Sequence, residues 1–161
     1  MQTCFFIFAW MEDLNIIKKK VARYCAWRDR CTAEVIKKLQ ELNATSEQIP
    51  QVIHWLEDEK YLDEKRFATS YVRGKFSVNH WGRMRIIAEL RSRNIAESTI
   101  REALKSIDTD DYFRTMQRLA DAKYHSIKSD DRQIKKQKTI AYLTSRGFEQ
   151  DLIWDVVKTM K

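Results

Sequence analysis

Residues 36–56 read IKKLQELNATSEQIPQVIHWL, and the apolar pattern of this stretch returns twice further along the chain. Its fixed positions are Ile36, Leu39, Asn43, Ile49, Val52, Ile53 and Leu56. Moving on 51 residues gives Ile87, Leu90, Asn94, Ile100, Ala103, Leu104 and Ile107. A further 53 gives Ile140, Leu143, Gly147, Ile153, Val156, Val157 and Met160. No copy needs an internal gap. The third position is Asn, Asn and then Gly, residue types that tolerate the left-handed backbone just past a helix. A period near 50 residues marks tandem supersecondary units, each too small to bury its own apolar face.

The spacing inside each copy is helical. Ile49, Val52, Ile53 and Leu56 fall at i, i+3, i+4 and i+7, as do Ile100 to Ile107 and Ile153 to Met160, which predicts one buried stripe per helix. The helix before it is expected to bury Ile36 and Leu39, Ile87 and Leu90, or Ile140 and Leu143. Upstream of each pair lies another helix. The first carries Leu14, Ile17, Val21 and Tyr24. The second follows Asp63, an N-cap residue, and carries Phe67, Ala68, Tyr71 and Val72. The third starts at about Asp111 and carries Met116, Leu119 and Ala120. Pro50 places the start of its helix within a turn upstream, because an interior proline breaks the ladder. Periodicity lapses at 59–63, 107–111 and 128–131. The expected fold is all-α: an elongated array of three three-helix, helix-turn-helix-like repeats, about nine helices in all. The repeats span 14–60, 61–108 and 109–161, after an extension over 1–13.

Composition agrees. With 3 Gly and 1 Pro in 161 residues, the chain is poor in the turn residues a β-rich fold needs. A hydrophobic share of 43% supports a packed core rather than disorder. The net charge of +7 points to anionic partners. Cys4, Cys25 and Cys31 show no C-x-x-C spacing, so reduced structural thiols in helices are expected. His54, His80 and His125 lack metal-ligand spacing, and no metal or cofactor is expected. The apolar run Cys4 to Trp10 is too short to span a bilayer and lacks a basic flank. The expectation is that Met11 is the natural start, or that residues 1–10 form a loosely attached tail.

One stretch is more specific than periodicity. Tyr61-Leu62-Asp63-Glu64-Lys65-Arg66-Phe67-Ala68 is followed by Tyr71-Val72-Arg73, Trp81-Gly82, Arg85-Ile86 and Glu89-Leu90. This resembles the central signature of the RecX family, bacterial regulators of the RecA recombinase, and the likeness extends over roughly residues 14–160. Two positions depart from the family pattern: Arg83-Met84 follows Trp81-Gly82, and Asn94 stands where Gly is common. The resemblance implies a cytoplasmic, non-catalytic protein that lies in the groove of the RecA filament on single-stranded DNA. It implies suppression of ATPase, strand-exchange and co-protease activities, and hence limits on recombination and the SOS response. A monomer with weak nonspecific nucleic-acid binding and no membrane association is expected.

Physically, Leu62, Phe67, Ala68, Tyr71 and Val72 are spaced as a core stripe. Gly82 suits a turn or a close helix approach; no Gly-rich neighbour or Lys-Ser/Thr follows to make a phosphate cradle. Function falls to the basic faces. Residues 73–105 hold eight basic and three acidic side chains, a surplus of five. Arg73, Lys75, Arg83, Arg85, Arg91 and Arg93 from this stretch, with Lys135 and Lys136 from the third repeat, are the candidate filament or DNA contacts. Arg85, Ser92 and Arg93 are expected opposite the buried face of their helix. No nucleophile–base–orienter set is present, which argues against an enzyme. The competing reading is a DNA-binding regulator using its helix-turn-helix-like units. Glu57, Asp58, Glu97, Glu102 and Asp155 weaken it, because they put negative charge on the helices that would read bases.

Overall fold

The computed structural model describes the backbone of residues 3–160 and the side chains of residues 14–160. The expectation of a start at Met11 falls on side chains outside this range. Among the described residues there are nine α-helices and no strand. They are α1 (Thr3–Trp27), α2 (Thr32–Glu41), α3 (Gln48–Asp58), α4 (Glu64–Ser77), α5 (Arg83–Arg91), α6 (Glu97–Leu104), α7 (Thr109–Ser126), α8 (Arg132–Arg146) and α9 (Gln150–Lys158). The fold is an all-α tandem array of three-helix repeats. No helix among the described residues is long and apolar enough to cross a membrane.

The helix ends follow local chemistry. Asn43, Asn94 and Gly147 all adopt positive φ, at 58°, 59° and 87°. Lys60 and His80 do so too, which no sequence signal indicated. Asp63 accepts the Arg66 N–H at 3.0 Å, Asp108 that of Asp111 at 2.8 Å and Asp131 that of Gln133 at 2.7 Å, each satisfying an orphan donor of a first turn. Because Asp108 is the cap, α7 begins two residues before Asp111. Thr45 and Gln48 form a reciprocal capping box ahead of Pro50: Gln48 accepts the Thr45 N–H at 2.9 Å, and Thr45 Oγ1 accepts the Gln48 N–H at 3.3 Å.

Two compact units emerge. Unit 1 comprises residues 1–68 with 93–95; unit 2 comprises 69–92 with 96–161. In unit 1, Ile17, Val21, Ala22 and Cys25 of α1 meet Val35 and Leu39 of α2, Val52 and Leu56 of α3, and Leu62. Arg30 is also buried there, its guanidinium 3.8 Å from the Tyr24 ring centroid. In unit 2 the core holds Val72, Phe76, Ile86, Leu90, Tyr112, Met116, Ala120, Leu143, Phe148, Ile153 and Val157.

Several core assignments shift by one residue. The second helices bury Val35 with Leu39, Ile86 with Leu90, and Thr139 with Leu143. Ile36, Ile87 and Ile140 are half-buried. An i, i+4 pair points one way more nearly than an i, i+3 pair, so the true stripe leads by one position. Ile49, Ile53, Leu104, Val156 and Met160 are likewise half-buried beside the central line of their helices. Tyr71 and Leu119 are also half-buried, while Leu62, Phe67, Ala68 and Val72 are in the core. Cys25 and Cys31 are free, buried thiols, but Cys31 is the extended N-cap of α2 and not a helical residue.

Candidate functional site

The junction of α5 with α8 organises the surface of unit 2. After α4, residues 78–82 fold back: Trp81 N–H donates to Lys75 O at 3.1 Å, and Gly82 N–H donates to Arg146 O at 2.8 Å. Met84 N–H then donates to Gly147 O at 3.0 Å. The backbones approach so closely that a Cβ on Gly82 would overlap the Gly147 carbonyl and Phe148 N. This is the close approach expected of Gly82, and its partner is the left-handed cap residue of α8.

Beneath the junction sits a buried polar group. The Tyr112 hydroxyl donates to Glu149 Oε2 at 2.5 Å and accepts the Arg83 N–H at 3.0 Å. Arg83 closes the cluster, its guanidinium 4.1 Å from the Tyr112 ring centroid and 3.5 Å from Glu149 Oε1. Burial, and then the Glu149 carboxylate, push the Tyr112 phenol far above its ordinary range. Arg83, a candidate contact from the sequence, thus packs against Tyr112 and pairs with Glu149.

Above the junction lie aromatic rings edged by cations. Arg85 is exposed, its guanidinium carbon 3.9 Å from the Trp81 ring centroid; Lys75 Nζ approaches the same ring to 4.7 Å. On α7 and α8, Tyr142 has Arg146 at 5.3 Å and Lys123 Nζ at 5.5 Å. The two clusters are stitched together by side-chain-to-backbone bonds: Arg85 Nη1 donates to Ser145 O at 3.4 Å, and Arg146 Nη1 to Asn79 O at 2.7 Å. Each such cation–ring contact is worth about 0.5–1 kcal/mol at an exposed site, enough to bias a long side chain toward one geometry.

The remaining sequence candidates scatter. Arg73 is exposed on α4. Arg91 is held by Glu97 through bonds of 2.5 and 3.1 Å, which raise its pKa and keep the Glu97 carboxyl below its usual range. Arg93 lies past the end of α5, half-buried and within unit 1, and so does not share a helix face with Arg85. Lys135 packs 5.4 Å from the Tyr124 ring, and Lys136 beside it is half-buried. Only Lys75 and Arg85 of the predicted set converge, on Trp81. Sequence reasoning missed Lys123, Tyr142 and Arg146. The i, i+4 spacing of Tyr142 and Arg146 was the available signal for two of them; nothing local pointed to Lys123. Among the described residues no group of three or more His, Cys, Asp or Glu is placed to hold a metal ion.

Known proteins resemble this chain along most of its length. Residues 63–104 match the family model "RecX, second three-helix domain", and residues 110–157 match "RecX, third three-helix domain". Relatives named "Regulatory protein RecX" include one from Bacillus subtilis, 29% identical over 89% of this chain and 58% of its own length. Another, from Pelodictyon phaeoclathratiforme, is 29% identical over 83% of this chain and 81% of its own. The chain spans little more than half the length of several such relatives. Among solved structures, a regulatory protein RecX superposes with a TM-score of 0.87 at 22% identity, covering 97% of this chain and 78% of that one. The RecX from Lactobacillus salivarius gives 0.83 at 23%, covering 92% and 96%. These structural likenesses speak to the fold; the matched domains and relatives speak to descent. The chain belongs to the RecX family.

Proposed function

We propose that the protein is a cytoplasmic, non-catalytic regulator that lies along a RecA-type filament on single-stranded DNA. There it suppresses ATPase, strand exchange and co-protease activity, and so limits recombination and SOS induction. The observation that carries this reading, beside family membership, is the set of cations on unit 2 that no carboxylate neutralises. Lys75, Arg85, Lys123 and Arg146 rest on aromatic rings and make no ion pair among the described residues. Such a surface suits a filament carrying phosphates and acidic groups.

The helix-turn-helix alternative is disfavoured by the last helix of each repeat. On α3, His54 faces Asp58 at 3.4 Å; next to α6, Lys105 pairs with Glu102 at 2.6 Å; on α9, Lys158 pairs with Asp155 at 2.6 Å. Helices that read base edges keep their basic side chains for the groove.

The deciding measurement is the ATPase rate of the cognate recombinase on single-stranded DNA as this protein is added. Inhibition far below one copy per recombinase subunit supports capping or blocked growth, and inhibition only near one-to-one supports coating of the groove. Arg85→Glu should weaken inhibition several-fold more than Arg91→Gln, since Arg91 is already engaged by Glu97. No inhibition, with sequence-selective duplex binding instead, rejects the proposal in favour of the alternative.

A further inference from the structure

We propose that unit 1 carries a binding site for a small monocarboxylate with an apolar body, in the cleft where α1 faces the turn between α2 and α3. The cleft has a volume of about 360 Å³, at the small end of the range for ligand sites. Ile16, Ile17 and Leu42 give it an apolar wall, and Lys20, Asn43 and Gln48 give it polar groups. No acidic side chain lines it among the described residues.

Gln48 carries the argument. It lines the cleft although its residue is only 3% exposed. Its Oε1 accepts the Thr45 N–H at 2.9 Å and so closes the capping box ahead of α3. That bond fixes the amide, because the atom facing an N–H must be the oxygen. The nitrogen, Nε2, has no hydrogen-bond partner among the described residues. Nor is it sealed from solvent: among the described residues, the enclosed side-chain atom without a partner is Glu34 Oε2. The cap needs only an oxygen, which Glu would supply equally well. The amide nitrogen is thus an unspent donor on a nearly buried, fixed side chain, open to a cleft and set to meet an acceptor.

Lys20 sets the charge of that acceptor. It is exposed, lines the cleft and has no ion pair or ring contact among the described residues. Glu47, the acid of the α2–α3 turn, is hydrogen-bonded by Thr45 and Ser46 instead. One ammonium and one neutral donor match the two oxygens of a carboxylate, with a charge-assisted bond on the lysine side. No second cation lines the cleft, so a phosphate dianion would stay half-neutralised there. The apolar wall then takes the body of the ligand. Ile16 is 50% exposed, and an alkyl chain laid on it removes apolar area from water on both sides. A ligand held this way bridges α1 to the other two helices of its repeat and stabilises unit 1 by mass action.

Hexanoate is the probe, with hexanol and hexylammonium as its neutral and cationic counterparts, each added to the full chain. In proton–nitrogen correlation spectra, hexanoate should move the amide signals of Ile16, Leu42 and Asn43 along a saturating curve and raise the thermal midpoint. Hexanol should bind several-fold more weakly, and hexylammonium should leave those signals in place. Gln48→Glu keeps the capping oxygen, so its midpoint without ligand should match wild type, while exchanging the donor for a like charge should weaken hexanoate about tenfold or more. Lys20→Gln, on an exposed side chain, should weaken it several-fold with the fold intact. Shifts that do not saturate, equal binding of hexanoate and hexanol, or unchanged affinity in Lys20→Gln overturns the site. Wild-type affinity in Gln48→Glu does so too. None of these readouts involves a recombinase, so the filament reading is tested separately.

Discussion

Gly82 and Gly147 meet backbone to backbone, Gly82 donating to the carbonyl just before Gly147 at 2.8 Å, and the Gly147 carbonyl filling the space a Gly82 side chain would need. The contact joins the loop before α5 to the end of α8. A methyl group at Gly82 has only backbone atoms to push against. Gly82→Ala should therefore cost about 3 kcal/mol, read as a lower urea midpoint. Gly74 in α4 has nothing near its missing Cβ, so Gly74→Ala should gain about 0.5–1 kcal/mol. Equal effects of the two substitutions would disprove the close approach.

Thr139 occupies the fully buried position that Val35 and Ile86 fill in the earlier repeats. Its hydroxyl donates to the Lys135 carbonyl at 2.9 Å, a bond within its own helix. Thr139→Val removes the buried hydroxyl and leaves that carbonyl its helical partner. The expected change is a gain of about 0.5 kcal/mol, measured by chemical denaturation. A loss above about 1 kcal/mol would mean the hydroxyl has a further structural role.

Phe67 and Tyr71 lie one turn apart on α4 but differ in burial: Phe67 is 5% exposed, Tyr71 half-buried. Phe67→Ala should cost about 3–5 kcal/mol, and Tyr71→Ala roughly 1. Thermal midpoints of the two variants will separate them. Similar losses would place Tyr71 in the core after all.

Burial pushes the Cys25 thiol from 9.0 to about 11, with Arg30 and Arg66 pulling the other way. Between those values the unfolded chain has released its proton and the folded chain keeps it. The folded state then binds more protons, so this contribution is intact below pH 9 and is lost as pH rises toward about 11. Wild type should lose stability over this interval more steeply than Cys25→Ala. Parallel urea midpoints for the two chains would contradict it.

Much of this was legible in the chain. The repeat at 51 and 53 residues located the helices, and Asn43, Asn94 and Gly147 marked the left-handed ends of the second helix in each repeat, since few residues accept positive φ. Asp63 was readable as a cap because capping acts within four residues. The one-residue error at Ile36, Ile87 and Ile140 arose because neighbouring apolar positions both fit a wide stripe, and which is central depends on where the partner helix crosses.

The candidate site was harder. Arg83, Arg85 and Arg91 look alike in sequence, yet one packs under Tyr112 and against Glu149, one rests on Trp81, and one is paired with Glu97. Periodicity and short-range chemistry act between residues a few positions apart, so helices, caps, repeats and family were written in the linear order of residues. The availability of a charge depends on groups 60 or 67 positions away, such as the Ser145 carbonyl that Arg85 reaches and the Asn79 carbonyl that Arg146 reaches. Those meet only once α5 and α8 have packed, and that packing selects which of many basic residues can act.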